Sequence, residues 1–221
     1  MKKRILIIAA VLAVLAVAAV LLKNGLNRES QTETLLKNAK VPDTRPVEEM
    51  KAAYDSEIAS FLIGHKSVLI STKVTDEEIK NATLTQSMPV LSAVSVSGAN
   101  ESYESKLQLT AWQAVAHVDE KPIGIFWVDA GADGKMPVSD RAGENFAGAY
   151  EYAAARLDGS AKAVIEVKGY YFVADTVGNV CLVDTTGGSA TLKTIDEVMA
   201  AANKVNTDGG NLLDILYPKA A

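Results

Sequence analysis

The sequence predicts an α+β domain, a mostly antiparallel sheet with helices packed on it, behind an N-terminal transmembrane anchor helix. Three observations carry that prediction. An amphipathic helix opens the domain, a long middle stretch alternates like β-strand, and two more helical patterns are set among the strands instead of alternating regularly with them. A parallel doubly wound fold would need that regular alternation. At 221 residues, with 48% apolar and 22% charged side chains, the chain is neither a disordered tail nor a disulfide-stapled miniprotein.

The anchor comes first. Met1-Lys2-Lys3-Arg4 precedes an apolar run, Ile5 to Leu22, without charge, Pro or Gly. As a helix it would span about 27 Å, close to the hydrocarbon thickness of a bilayer. Basic residues ahead of the run put the N-terminus in the cytoplasm and the remainder outside. The alternative is secretion after signal cleavage at Ala16-Val17-Ala18, but that triplet lies inside the apolar run and lacks a polar segment before it. Residues 1–22 therefore read as membrane anchor or signal, 23–45 as a polar stalk, and 46–221 as an extracytoplasmic α+β domain. The expected location is a bacterial cell membrane, single-pass.

Within the domain, Pro46 suits the start of a helix, and Val47, Met50, Tyr54, Ile58, Phe61 and Leu62 form one apolar stripe closed by Gly64. Ser67 to Thr72 reads as a short strand, and Thr75 to Asn81 as a helical turn. Val90, Val94 and Val96 alternate with serines in a half-exposed strand. Leu107–Val118 and Ile123–Asp129 make a hairpin, with Ile125-Phe126-Trp127-Val128 apolar on both faces and therefore central. A helix is expected from about Asp140 to Leu157. A second hairpin joins 163–174 to 179–184, and Thr194 with Glu197 caps a helix running to about Lys204. Leu212 to Tyr217 is a short closing segment.

Charge and cysteine content exclude several functions. Without Lys2, Lys3 and Arg4 the domain has 19 basic residues against 27 acidic, a poor balance for nucleic acid. Cys181 is the one cysteine, so no internal disulfide and no cysteine zinc cluster can form. His-Glu-x-x-His, Gly-x-Ser-x-Gly, Ser-x-x-Lys and the phosphate-cradling glycine motifs are all missing. His117 reads as a partly buried, satisfied strand residue, and His65 as a partner of a helix C-terminus.

Two constellations remain. From Asp129 to Asp140, carboxylates fall at positions 1, 5 (Asp133) and 12 with Gly134 at 6, a spacing that resembles the calcium loops of EF-hand and dockerin-type modules. The resemblance covers twelve residues. It departs from the pattern at Gly131, which offers no side-chain ligand at position 3, and at Asp140, shorter than the usual Glu. It implies a metal site at Asp129, Asp133 and Asp140, with calcium as the candidate cofactor; the competing reading is an Asp/Gly-rich turn whose Ser139 or Asp140 caps the next helix. Asp129, Asp175 and Asp184 also sit at strand ends, where two could pair as hydrolytic carboxylates.

The functional expectation is a non-enzymatic, membrane-tethered binding or interaction module of a bacterial envelope. Its partner would be an envelope protein, a cell-wall component or a small ligand, with no nucleic acid. The alternative is an envelope hydrolase using the strand-end carboxylates, organised by calcium. A sensory ectodomain would need a separate output chain, since only about four residues precede the apolar run.

Overall fold

The computed structural model describes residues 31–71, 73–93, 101–131, 137–157, 161–187 and 191–218. The proposed anchor lies outside these residues. Among the described residues no helix is long and apolar enough to cross a membrane.

The expected class is the observed one. Nine strands among the described residues form one sheet in the order β5-β4-β3-β2-β6-β7-β8-β9, with β1 (Thr83–Leu84) paired to β3 off this path. The strands are β2 (Met88–Ala93), β3 (Leu107–Val118), β4 (Lys121–Asp129), β5 (Val138–Gly143), β6 (Ala161–Val167), β7 (Tyr170–Asp175), β8 (Asn179–Leu182) and β9 (Lys193–Thr194). Every pair is antiparallel except β2 with β6, where Val90 aligns with Val164.

One face of the sheet is covered by the opening helix. It runs as α2 (Val47–Ala53), a π-helical turn (Tyr54–Ile58) and α3 (Ala59–Gly64). Most of the expected stripe is buried: Met50, Tyr54, Ile58 and Leu62 are all at most 2% exposed, Phe61 is partly buried, and Val47, in the first turn, is 60% exposed and does not belong to it. Tyr54 stacks at 6.0 Å on Phe126 of β4 and donates its hydroxyl proton to the Ile79 carbonyl of α5 (Asp76–Lys80). Thr75 and Glu78 close a capping box on α5, as the polar start of that segment implies.

The other face holds α6 (Glu144–Ala155), α7 (Ile195–Asp208) and α8 (Leu212–Leu216). Ala147, Tyr150 and Ala153 of α6 are buried, and α6 touches β4, β5, β7 and β8. Its small residues let the sheet approach closely. β4 is central as expected: Ile125 and Trp127 belong to the core on this side, Phe126 and Val128 to the core on the opposite side.

Several expectations are corrected. The strand expected from Ser67 is a single helical turn, α4 (Lys66–Leu69), because Val68 points outward at 84% exposure and has no strand to pair with. Of the half-exposed strand expected over Val90, Val94 and Val96, the residues from Val94 on lie outside the described residues; β2 itself is paired on both edges, with Pro89, Val90 and Leu91 buried and Met88, Ser92 and Ala93 partly buried. The helix expected from Asp140 begins at Glu144, because Val138–Gly143 pairs with β4 as the edge strand β5. The run 163–174 is two strands, folded at Lys168 and Gly169, both at positive φ, the conformation of a tight hairpin turn.

The segment read as stalk is partly domain. Residues 31–38 are helical (α1). Leu35 is 3% exposed, and buried Thr32 donates to the Asp175 carbonyl at 2.8 Å. Arg45 closes the strap by donating to the Ser87 carbonyl.

Candidate functional site

A concavity forms where α4, α6 and the loop after β8 meet, and each wall has an identifiable local cause. His65 ends α3 by donating from Nδ1 to the Phe61 carbonyl at 2.9 Å, the helix-terminal role expected of it. The chain then turns through α4 and presses Leu69 against Gly143. A Cβ at Gly143 would lie 2.5 Å from the Leu69 carbonyl oxygen, so only glycine permits this approach. Ser71 locks the geometry, its N–H and hydroxyl donating to Glu144 at 2.6 and 2.9 Å.

The floor is the outward face of α6: Asn145, Gly148, Ala149 and Tyr152, with Pro122 beside them. The far wall is Asp184, Thr185 and Gly187. Asp184 shapes that wall by accepting from the N–H and hydroxyl of Thr186 at 2.8 and 2.6 Å. The cleft measures about 810 Å³, within the size range of ligand-binding clefts, and it is open on one side. Four large apolar side chains are exposed among the described residues, and two of them, Val68 at 84% and Tyr152 at 54%, line this one cleft. Concentrated apolar exposure of that kind marks an interaction surface, whereas scattered single residues mean little.

His117 is where the sequence places it, on β3 and mostly covered. Its Nε2 meets the Glu151 carboxylate of α6, so the pair ties strand to helix. The cleft contains no histidine and no cysteine among its described lining residues.

Of the sequence-derived carboxylates, Asp184 lines the cleft, whereas Asp129, Asp140 and Asp175 do not. Asp175 is 4% exposed, and it spends both oxygens on its own turn: Oδ1 accepts from the N–H groups of Val177 and Asn179, Oδ2 from the Asn179 amide. Asp184 serves the Thr186 turn. Asp129 ends β4, with its N–H on the Pro137 carbonyl. For the calcium spacing, Asp133 lies outside the described residues. Asp140 is exposed in β5 opposite Trp127, and its Oδ1 accepts from the N–H of Arg141. The segment from Asp129 to Asp140 thus joins two paired strands; it does not lead directly into a helix. Among the described residues no group of three or more His, Cys, Asp or Glu is placed to hold a metal.

Apart from Asp184, the residues that build the cleft were missed by sequence reading. Val68 and Tyr152 look like core candidates until their exposure is known, and Glu144 looks like one more solvated acid. Comparison with protein-family models, with curated proteins and with solved structures gives no match for this chain.

Proposed function

We propose that the chain is a membrane-tethered, extracytoplasmic binding module of a bacterial envelope that works without catalysis, and that the α4–α6 cleft is its binding surface. The observation that carries this reading is the gathering of Val68 and Tyr152 on a cleft of about 810 Å³. The sequence adds the anchor: a basic head on an apolar run long enough to cross a bilayer. Tethering would hold the cleft near the membrane and raise its effective concentration toward partners there. The acidic balance of the domain argues against nucleic acid as the partner.

The test uses the full chain in its own membrane, with a photo-reactive phenylalanine analogue at position 152 and, separately, at the exposed position 47. The reading expects a discrete adduct from 152 that is missing from 47. No adduct at 152, or the same adducts from both positions, overturns it. Alkaline extraction of the same membranes tests the tether, since an anchored chain stays with the lipid and a cleaved one is released.

A further inference from the structure

The docked strap decides which end of the domain can meet the membrane, given the tether of the reading above, on which this inference rests. The side-chain amide of Gln31 donates to Asp196 Oδ2 at 2.8 Å. One residue on, the Thr32 hydroxyl donates to the Asp175 carbonyl at 2.8 Å, and Leu35 and Ala39 behind it are buried. Asp175 and Asp196 belong to the same end of the sheet. The β7–β8 turn meets the start of α7 there, with the Ile195 N–H on the Gly178 carbonyl at 3.0 Å, and β6 begins beside them, Ala161 opposite Asp175. The apolar run ends at Leu22, so only the eight residues 23–30 lie between it and the docked helix.

Lengths decide the orientation. A linker of that size reaches at most about 28 Å when fully extended, and as a flexible coil it averages about 15 Å end to end. A body of roughly 190 residues is about 40 Å across. The linker is therefore too short to pass around the body, and the end that holds Gln31 stays nearest the lipid. We propose that the β7–β8 turn and the start of α7 form the membrane-facing end of the domain, turned toward the headgroups of the bilayer that carries the chain's own anchor. The cleft is placed by the same constraint. Its wall of Asp184, Thr185 and Gly187 follows β8, which starts at that turn with Asn179 and runs through the core as buried Val180 and Cys181. From Asn179 to Asp184 the extended chain covers about 16 Å. That wall is held away from the lipid, so the partner that reaches it stands in the aqueous envelope and is not a lipid.

Fluorophores attached singly to the full chain, through Val177→Cys in the turn and Thr185→Cys on the cleft wall, test the proposal. Cys181 is buried, so the unsubstituted chain serves as the unlabelled control. In phosphatidylcholine vesicles holding an acceptor-labelled lipid, energy transfer to the bilayer should be more efficient from position 177 than from 185. Inserting about 20 Gly and Ser residues between Asn27 and Arg28 lets the linker reach past the body, and the two efficiencies should then converge. Equal transfer from both positions, stronger transfer from 185, or a contrast that survives the insertion overturns it. A thermal melt checks the fold of each variant, and Thr176→Cys takes the place of Val177→Cys if that one does not fold. Failure of the tether is separable: alkaline extraction would then release the chain, whereas a retained chain without the contrast discards the orientation alone.

Discussion

The rings of Trp127 and Tyr171 lie 5.7 Å apart, although β3, β2 and β6 stand between their strands in the sheet. At about 4.8 Å per strand, β4 and β7 would be roughly 19 Å apart in a flat sheet. The sheet therefore curls toward α6, and Phe146 of that helix completes the contact, edge-on to both rings at 5.6 and 5.7 Å. That curl seats α6 and presents its far side as the floor of the cleft.

Trp127 tests the curl. Trp127→Ala should cost about 3–5 kcal/mol in urea unfolding, the usual range for a buried aromatic. Trp127→Phe should cost far less, because the buried indole N–H has no partner among the described residues and nothing paired is lost with it.

Two glycines should respond in opposite directions. Gly143→Ala forces a Cβ to within 2.5 Å of the Leu69 carbonyl and should destabilise by about 1–3 kcal/mol. Gly148→Ala meets open space inside a helix and should stabilise by about 0.5–1 kcal/mol. Thermal melts of both variants check the pair.

Leu35→Ala separates a packed strap from a stalk. The side chain is 3% exposed against the sheet core, so the substitution should cost about 2–5 kcal/mol. A solvated stalk would lose nothing measurable.

The cap of α7 makes an acid-side prediction. The Glu197 carboxyl is held below its ordinary value, first by the Thr194 N–H and also by the Thr194 hydroxyl and Lys193. Its contribution is therefore complete above the ordinary carboxylate value and lost as pH falls through the lowered one. Glu197→Gln can still reach back to the Thr194 N–H but cannot titrate. The difference in Tm between wild type and variant should shrink as pH falls from 7 to 3.

Buried phenols set the alkaline limit. Burial, with Glu151 nearby, pushes Tyr150 up to about 12, and burial pushes Tyr217 up to about 12. In the unfolded chain both ionise near 10, so stability is full below that value and falls as pH rises from 10 toward 12. Absorbance at about 295 nm should show these two tyrosines ionising only with unfolding.

What the sequence showed and hid follows from locality. The Met50–Leu62 stripe, the Thr194–Glu197 box and the doubly apolar Ile125–Val128 run each announce themselves within one element, and each is observed. The π-helical turn at Tyr54–Ile58 leaves the apolar spacing intact and so is invisible to it. Ser139 and Asp140 are good helix caps by residue type, which drew the helix start forward; only the pairing of Asp140 with Trp127 shows a strand. Lys168-Gly169 lies within a run of strand formers and carries no Pro or Asn to mark its turn. The strap was obscured by its polarity, since Leu35 is one of few apolar residues there. The cleft was the least legible feature, because its walls come from distant stretches of chain and its meaning depends on exposure.

The lone parallel pairing has a kinetic consequence. Strands β2 to β5 with α6, and β6 to β9 with α7, are each an antiparallel meander followed by a helix, assembled from near neighbours in sequence. The seam between them joins Val90 to Val164 across 74 residues of chain and must wait for that loop to close. Folding speed should therefore be set at the seam. Truncating Val164 or Ile165 would slow refolding, and equally buried positions within one meander, such as Phe126, would act mainly on unfolding.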